Sequence, residues 1–486
     1  MYLSFNPQYY LKQDSGRVLI LASQVGRENL SPIGDNFETI VHPIYAMILS
    51  FFDGRDEETI LNDIETTLKI KREKIISLIH TLIGNSKYVR IKCNEGISVF
   101  PPYTIIKKNE YLYNKRFGWL QFGYENVDLK IKRHLTPTSI TLMVNNICYT
   151  NCYYCYADKR RKVTCSIPLD RIVELIHEAK QLNVRTFDVI GGEFFLFKNW
   201  DKVLSELHKC GYHPYLSTKL PLNEPVVKKL AKMQIQDIQV SLDSLIAEHL
   251  TRSLDVKIDY IQKIKETITL LDKYNISIYI HTVLSKETES IEDIQSIYEF
   301  IKDVKNIAEW KIDKAGKSLY ANTDYSKIEV NTTAVDKIAT YIGTIEDHAP
   351  FPIRAPRPMT ANQLIASKST FNFFDRGFCS GNYSSMFILP DGNVTMCEEL
   401  YWIKRFHIGN VLNNSIQEIW NSESAFSLYH LKQESVPSDS LCSSCSDFVK
   451  CRSLKQVCYK EVIKHYGVSK WYYPDINCPY TKKQEL

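Results

Sequence analysis

Three cysteines lie within eight residues of one another, in the stretch NICYTNCYYCYADK at residues 146–159. Cys148, Cys152 and Cys155 are separated by three and then by two residues. Three thiolates on one short loop can hold three irons of a 4Fe–4S cluster and leave the fourth iron open. Structural zinc takes four protein ligands, and the next cysteine along the chain is Cys165. The spacing therefore indicates an iron–sulfur site that can accept a further ligand.

Composition and cysteine usage support metal binding rather than disulfides. The chain has 486 residues with thirteen cysteines, an odd number, and its start lacks the basic and apolar segments of a secretory signal. No run of about 20 apolar residues predicts a membrane-spanning helix. We expect a cytoplasmic protein without a membrane partner, in which thiols stay reduced. The net charge of +4 does not indicate a nucleic-acid partner.

The elements that must position this loop alternate between strand and helix. Residues 135–320 contain six candidate strands, and amphipathic helical stretches such as LDRIVELIHEAKQL lie between them: SITLMVN, TFDVIGG, YLSTKL, DIQVSLD, SIYIHTVLS and AEWKIDK. Alternation of this kind predicts parallel strands. The region is shorter than a complete eight-unit barrel, so we expect an α/β fold with a partial (β/α)6 barrel. The cysteine loop follows the first strand at its carboxyl end, where barrels build their active sites.

Polar residues also follow the later strands. Gly191, Gly192 and Glu193 follow the second strand, where glycines permit close backbone approach and a carboxylate can pair with an ammonium group. Ser217 ends the third strand and Ser241 the fourth, while Arg252 lies in the next segment. Each residue also has an ordinary structural interpretation: the glycine pair can be a simple turn, and Arg252 a surface helix residue.

These features together resemble the radical S-adenosylmethionine (SAM) enzymes, in which an aromatic residue precedes the third cysteine of the loop. The resemblance implies that the three barrel cysteines hold a 4Fe–4S cluster and that SAM chelates its open iron. It further implies these SAM contacts: Gly191, Gly192 and Glu193 on the amino group, Ser241 and Arg252 on the carboxylate, Ser217 in the same pocket and Tyr154 on the adenine side.

A second set of cysteines lies near the end of the chain, where seven of the thirteen fall between Cys379 and Cys478. Their order resembles the SPASM extension of radical SAM enzymes, which carries two auxiliary 4Fe–4S clusters. The gap of six residues between Cys451 and Cys458 departs from the three that are typical of that family. The alternative is two structural zinc sites. The resemblance implies one complete and one three-cysteine cluster, with these ligands: Cys442, Cys445, Cys451 and Cys478 for the complete one, and Cys379, Cys397 and Cys458 for the open one.

The first 100 residues predict a small winged-helix domain: a hairpin that turns at Asp14-Ser15-Gly16, three helices and a returning strand. The first helix is predicted over HPIYAMILSFFDG and stops at Gly54. The helices mix both charge signs, which disfavours a DNA-binding role. The domain resembles the recognition element fused to enzymes that modify ribosomally made peptides, in which a leader peptide adds a strand to the hairpin edge.

The resemblance covers nearly the whole chain and divides it into five parts: the recognition element at 1–100, a connector at 101–134, the barrel at 135–320, a connector at 321–370 and the SPASM domain at 371–486. It implies a thioether-forming enzyme of the sactipeptide and ranthipeptide type. Such an enzyme uses three 4Fe–4S clusters, SAM and an electron donor such as flavodoxin or ferredoxin to act on a precursor peptide through a 5′-deoxyadenosyl radical.

Several alternatives remain open at this stage. They are carbon–carbon or ether crosslinking of a peptide, formylglycine formation in a sulfatase and, outside catalysis, an iron–sulfur regulator that binds DNA. The pattern assigns no catalytic base, although Asp243 and Asp313 follow or end strands. Cys93, Cys165 and Cys210 fall outside every pattern and are expected to be ordinary core residues.

Overall fold

The chain folds into two compact units, residues 1–138 and 139–486. A computed structural model describes residues 1–22, 37–110, 113–157, 162–320, 324–357, 372–453 and 455–481. Part of the predicted connector at 321–370 lies outside these residues. In the described part of the chain, none of the helices combines the length and the apolar character that crossing a bilayer requires.

The described residues of the first unit form eight strands and three helices around their own apolar core. The helices are α1 (Pro43–Leu49), α2 (Glu57–Leu68) and α3 (Arg72–Leu82). The strands are β1 (Tyr2–Phe5), β2 (Tyr9–Asp14), β3 (Arg17–Ala22), β4 (Glu38–Val41), β5 (Asp53–Asp56), β6 (Val89–Cys93), β7 (Gly96–Phe100) and β8 (Ile105–Lys108). They form sheets in the orders β5-β1-β8, β2-β3-β4 and β6-β7.

The predicted hairpin is confirmed: β2 pairs antiparallel with β3, and Asp14 lies opposite Arg17. Ser15 and Gly16, the two turn residues, have φ values of 42° and 81°, as the right-handed twist of the strands requires of a two-residue turn. A Cβ on Gly16 would also lie 2.7 Å from the backbone oxygen of Asn126. The turn residue is therefore held to glycine by both its conformation and its neighbour.

The prediction that the first helix runs to Gly54 is wrong. The helix ends at Leu49, and Asp53–Asp56 instead form β5. This strand pairs with β1, which was not recognised in the sequence. Residues 105–108 of the predicted connector likewise form β8 on the other side of β1. Both differences arise because pairing with a distant strand overrode the local pattern.

The second unit begins with alternating strands and helices. Its strands are β9 (Ser139–Met143), β10 (Thr186–Ile190), β11 (Ser217–Thr218), β12 (Asp237–Ser241), β13 (Ser277–Leu284), β14 (Ile307–Lys314) and β15 (Ile353–Arg354). Its helices are α4 (Leu169–Gln181), α5 (Trp200–Lys209), α6 (Glu224–Lys232), α7 (Ala247–Leu254), α8 (Tyr260–Lys273), α9 (Ile291–Ile301) and α10 (Thr332–Ile345). All six predicted strands are present in the predicted order.

Two five-stranded sheets organise this unit. One has the order β11-β12-β13-β14-β15 and is parallel throughout. The helices bury apolar residues at helical spacing; in α4 these are Ile172, Leu175, Ile176 and Ala179. Because the strands are parallel, their carboxyl ends share one edge, and the loops that carry the candidate site residues leave from there.

The cysteine-rich segment contributes the rest of the other sheet, whose order is β10-β9-β16-β17-β18. Its strands are β16 (Ser385–Ile388), β17 (Asn393–Thr395) and β18 (His407–Asn410), and β16 pairs parallel with β9. Three helices follow: α11 (Ile416–Trp420), α12 (Glu423–Tyr429) and α13 (Tyr459–Tyr466). The first barrel strand therefore lies between β10 and a strand from the tail.

Candidate active site

A cavity of about 900 Å³ lies at the carboxyl ends of the parallel strands in the second unit. It brings together most of the residues that the sequence singled out. Of the predicted site residues, these line it: Cys148, Cys152, Tyr154, Cys155, Gly191, Gly192, Glu193, Ser217 and Ser241. Glu398, which follows the tail residue Cys397, also lines it.

The three-cysteine loop is fixed by backbone hydrogen bonds to neighbouring elements. Val144 N donates to Ile190 O at 2.9 Å, which attaches the start of the loop to β10. Further along, Asn151 N donates to Leu254 O at 2.8 Å and Tyr153 N to Ser253 O at 3.0 Å, both at the end of α7. The three cysteines are partly buried and form no disulfide. The chain thus holds three thiols in a defined position on one side of the cavity.

Gly192 allows the second strand loop to lie directly against the cysteine loop. Its N–H donates to Asn145 O at 2.8 Å, and Glu193 N donates to Ile147 O at 2.7 Å. A Cβ at position 192 would lie 2.6 Å from backbone atoms of Asn146 and Ile147. Only glycine fits this position without a backbone shift, and the residue it touches precedes Cys148.

Glu193 is buried, and its carboxylate accepts four hydrogen bonds. The donors are Phe195 N, Thr218 Oγ1, Lys219 N and Leu220 N, at 3.0 to 3.3 Å. Burial raises the pKa of Glu193 to about 7, although the four donors oppose that rise. The carboxylate is thereby fixed in orientation and sits close to the balance between its neutral and charged forms at neutral pH.

Tyr154 forms a hydrogen-bonded cluster with two charged residues, Lys219 and Asp243. Lys219 was not recognised as a candidate residue in the sequence. Lys219 Nζ donates to Tyr154 Oη at 2.9 Å and to Asp243 Oδ2 at 2.8 Å, and the Tyr154 hydroxyl donates to the same carboxylate. Burial lowers the pKa of Lys219, but the Asp243 carboxylate together with Cys152 and Cys155 outweighs it, so the pKa is raised overall. Burial and Asp243 hold the pKa of Tyr154 well above its usual value. Lys219 is therefore a charged ammonium group on the cavity wall.

The two aspartates considered as bases are both engaged. Asp243 has no exposed surface, and besides Lys219 and Tyr154 it accepts a hydrogen bond from Val283 N at 3.0 Å. Asp313 lines the cavity and lies 3.0 Å from His281 Nε2 and 2.7 Å from Lys311 Nζ. Neither carboxylate is singled out as a proton acceptor by this geometry.

Arg252 lies outside this cavity. It is in the last turn of α7, its side chain is 51% exposed, and its Nε donates to Glu287 Oε2 at 2.6 Å. It lines a separate open cavity with His249 and Lys286. The phase of α7 directs this residue away from the strand ends, whereas Lys219 lines the main cavity together with Ser217 and Ser241.

Four tail cysteines surround one small cavity of about 20 Å³, lined by Cys442, Cys445, Cys451 and Cys478 together with aromatic and charged residues. Arg376 Nη2 donates to Cys451 Sγ at 3.2 Å, and Arg452 Nη2 donates to Cys442 Sγ at 3.6 Å. The four thiols that the sequence grouped are thus brought together. A donor set of four thiols with two guanidinium groups beside it fits an anionic metal centre.

The other three tail cysteines also lie near one another. Cys379 raises the pKa of Cys397 and of Cys458, after the larger contribution of burial, which for Cys397 gives a value of about 12. Close by, Lys460 contacts Glu399, the second residue after Cys397. A three-thiol set again fits an iron–sulfur cluster with one open iron better than it fits structural zinc.

The three remaining cysteines make other contacts. Cys93 Sγ lies 3.3 Å from Gly96 O, Cys165 Sγ lies 3.7 Å from Ile167 O, and Cys210 Sγ lies 3.9 Å from His177 Nδ1. None of the three lines the site cavity or the four-cysteine cavity among the residues described. The grouping of cysteines by spacing therefore agrees with their grouping in space.

Comparison with known proteins assigns both regions. The sequence profile of the Radical SAM superfamily matches residues 142–301, and that of SPASM, an iron–sulfur cluster-binding domain, matches residues 379–446. The chain contains a radical SAM domain and a SPASM domain. The three-cysteine loop, the glycine pair and Glu193 all fall within the radical SAM match.

Curated relatives are distant. The chain is 22% identical over 323 residues to the antilisterial bacteriocin subtilosin biosynthesis protein AlbA of Bacillus subtilis, covering 64% of this chain and 67% of that protein. It is 20% identical over 290 residues to the sporulation killing factor maturation protein SkfB of the same organism, covering 58% and 64%. A probable GTP 3′,8-cyclase of Archaeoglobus fulgidus is 29% identical over 111 residues, covering 23% and 37%. The match spans less than two thirds of the last two relatives.

Among solved structures, SuiB of Streptococcus suis bound to precursor peptide SuiA is similar over 99% of this chain and 100% of that chain, with a TM-score of 0.62 and 14% identity. SuiB bound to S-adenosylmethionine gives a TM-score of 0.61 at 16% identity, over 98% and 100%. At these identities the likeness shows a shared fold that extends over almost the whole chain.

Proposed function

We propose that this chain is a radical SAM enzyme that modifies a ribosomally made precursor peptide and forms a thioether between a cysteine sulfur and a carbon of another residue. The observation that carries the proposal is the lining of the main cavity. Three barrel thiols line it, and so does Glu398, the neighbour of the proposed tail ligand Cys397. A peptide in this cavity can therefore approach both the cofactor site and a three-cysteine tail site.

Each cofactor has a fitting set of residues. Cys148, Cys152 and Cys155 would hold the SAM-binding cluster, and the two tail sets would hold the auxiliary clusters. Glu193 and the glycine pair suit the amino group of SAM, and Ser217 and Ser241 suit its carboxylate. When bound, the barrel cluster and SAM supply a carbon-centred radical that removes a hydrogen atom from the peptide.

The atoms and electrons of the reaction balance. The peptide carbon gives up a hydrogen atom, which ends in 5′-deoxyadenosine; the thiol gives up a proton; and closure of the carbon–sulfur bond releases one electron. SAM cleavage to methionine and 5′-deoxyadenosine consumes one electron. The chain's own residues have to orient the peptide and exclude water, and the tail cysteines would hold the cluster that takes up that electron.

The names of the relatives support a peptide substrate. AlbA is a bacteriocin biosynthesis protein, SkfB a maturation protein of a killing factor, and SuiB was solved with a precursor peptide. We propose a partial barrel at residues 135–320 and a SPASM domain at residues 371–486. We also infer that a flavodoxin or ferredoxin supplies electrons to the chain.

The first unit suits a leader-peptide reader. We infer that its hairpin and three helices form the winged-helix recognition element predicted at residues 1–100. Strand β2 is an outer strand of the sheet β2-β3-β4, and we propose that a leader strand adds at its outer edge. In this mode main-chain hydrogen bonds supply the affinity, and the core peptide extends to the cavity of the second unit.

The test is anaerobic reconstitution of the full chain with iron and sulfide, followed by reductant, SAM and a precursor peptide encoded beside it. We expect 5′-deoxyadenosine and a peptide lighter by two hydrogen atoms, with one cysteine thiol that no longer alkylates. The control is a variant with Cys148, Cys152 and Cys155 changed to alanine. Intact SAM with the wild-type chain would refute the catalytic proposal. Loss of hydrogen with every thiol still alkylated would replace the thioether with a carbon–carbon or ether crosslink.

A further inference from the structure

The two guanidinium groups beside the four-cysteine site differ from the cations at the other tail site. Arg452 is 2% exposed, and in the described part of the chain it forms no ion pair with a carboxylate. Its Nη2 donates to Cys442 Sγ and to the backbone oxygens of Tyr472 and Tyr473, while its Nε and Nη1 have no hydrogen-bond partner among the described residues. A buried cation of this kind needs a nearby anion, and the thiolates are the nearest ones.

Arg376 approaches the same site from another direction. Its Nη2 lies 3.2 Å from Cys451 Sγ and 2.8 Å from Cys451 O, and its guanidinium lies over the Phe373 ring at 4.2 Å. Asp447 and Asp475 also line this cavity, but Asp447 accepts from the Tyr480 hydroxyl and Asp475 from Asn477 N. The two side chains that donate to sulfur in the described part of this site, Arg376 and Arg452, are both positively charged.

At the three-cysteine tail site the cations are neutralised. Lys460 and Lys464 both contact the carboxylate of Glu399, which is itself buried. Glu398 adds a further acidic group beside Cys397, and its pKa is raised by burial and then by Glu399. In the described part of the chain no guanidinium group donates to a sulfur there, in contrast to the four-cysteine site.

We infer that Arg376 and Arg452 raise the reduction potential of the four-cysteine cluster and make it the site that receives the electron released at bond closure. Uptake of one electron adds one negative charge to the cluster and its thiolates. Cations and N–H donors at the sulfurs stabilise that added charge, and both are known means of setting cluster potentials. The inference rests on the proposed function, because it requires an iron–sulfur cluster at these four cysteines.

The test is a redox titration followed by electron paramagnetic resonance on the full chain, in a background with Cys148, Cys152 and Cys155 changed to alanine so that only tail clusters give signals. Arg376→Gln removes the charge, and Arg376→Lys retains it. We expect Arg376→Gln to increase the ratio of oxidised to reduced cluster about tenfold at a fixed potential, a fall of about 59 mV for a one-electron couple.

Two matched variants make the result specific. Arg376→Lys should recover most of the shift, which a purely structural role would not predict. Arg357→Gln, at a residue that is 73% exposed and paired with Glu346, should leave both potentials unchanged. Equal potentials for the wild-type chain and Arg376→Gln would overturn the inference while leaving the proposed function intact.

A further variant, Cys445→Ala, separates failure of the inference from failure of the proposed function. It should remove one of the two signals and the corresponding iron, which assigns the shifted potential to the four-cysteine site. If iron content and both signals stay unchanged in Cys445→Ala, Cys445 is not a cluster ligand, and the four-cysteine centre that the proposed function requires is not at these residues. Zinc in place of iron at these cysteines would also overturn the inference, since zinc takes up no electron.

Discussion

Replacing Gly192 with alanine should displace the three-cysteine loop and abolish most SAM cleavage. The new Cβ would lie 2.6 Å from backbone carbonyl atoms of Ile147, whereas ordinary contact begins at 3.4 Å. The two backbone segments must therefore separate by about 0.8 Å, the difference between these values. Since Ile147 directly precedes Cys148, this shift acts on the first cluster ligand.

The size of the effect follows from that displacement. Overpacking of a tight site costs about 1–3 kcal/mol, which a domain of this size tolerates, so the chain should still fold. Misplacement of reacting groups by about 1 Å can cost about a hundredfold in rate. We therefore expect Gly192→Ala to form 5′-deoxyadenosine about a hundredfold more slowly, while iron bound by the tail is retained.

The matched control is Gly343→Ala in α10, where a Cβ would meet no atom within 4 Å. Alanine at a helical position stabilises the helix by up to about 1 kcal/mol relative to glycine, so this variant should fold and cleave SAM normally. The assay is 5′-deoxyadenosine formation after anaerobic reconstitution, with iron content and circular dichroism recorded for both variants. A Gly192→Ala rate within about threefold of the control would refute the argument from close approach.

Three further outcomes are expected. Lys219→Met leaves the buried Asp243 carboxylate without its cation and should lower the free energy of unfolding by about 3–5 kcal/mol. Adding Asp243→Asn should restore most of that free energy. The measurement is urea denaturation of the metal-free chain. Arg252→Ala should leave SAM affinity in equilibrium dialysis unchanged within about twofold, because Arg252 lines a cavity separate from the proposed SAM contacts and pairs at the surface with Glu287. The pKa of Glu193 is about 7, so its carboxyl group becomes negatively charged as the pH rises from 6 to 7.5. SAM binding should therefore tighten over that range, because a charged carboxylate pairs with an ammonium group. A SAM affinity independent of pH would contradict the pairing of Glu193 with the SAM ammonium group.

Local patterns predicted much of the second unit. The six strands from β9 to β14 could be identified because each has a short apolar run bounded by polar or turn residues. The three barrel cysteines could be grouped because metal ligands on one loop must be close in sequence, whereas the two tail sets were grouped through the family resemblance. These signals depend only on neighbouring residues, which is why a single sequence carries them.

Contacts between distant segments were not predictable in the same way. Lys219 and Asp243 meet because β11 and β12 are neighbours, with Ser217 opposite Gln239 and Thr218 opposite Val240. Both charged residues follow these strands within two positions, so the pair could have been found once the strands were known to be adjacent. Arg252 shows the opposite case. Its distance along the sequence from the end of β12 was suitable for a SAM contact, but spacing alone does not show the helix phase that directs its side chain to Glu287.

Because β16 pairs with β9, binding of iron by the tail cysteines should affect the folding stability of the proposed barrel as well. Ser139–Leu142 are matched residue for residue by Ser385–Ile388, so separation of the tail would leave the first barrel strand with an unpaired edge. A metal that binds only the folded tail shifts the folding equilibrium of every element that folds with it. Iron bound by the tail should thus stabilise the proposed SAM site thermodynamically, and a chain that lacks the tail clusters should lose the pairing of β9 with β16 before any electron transfer is at issue.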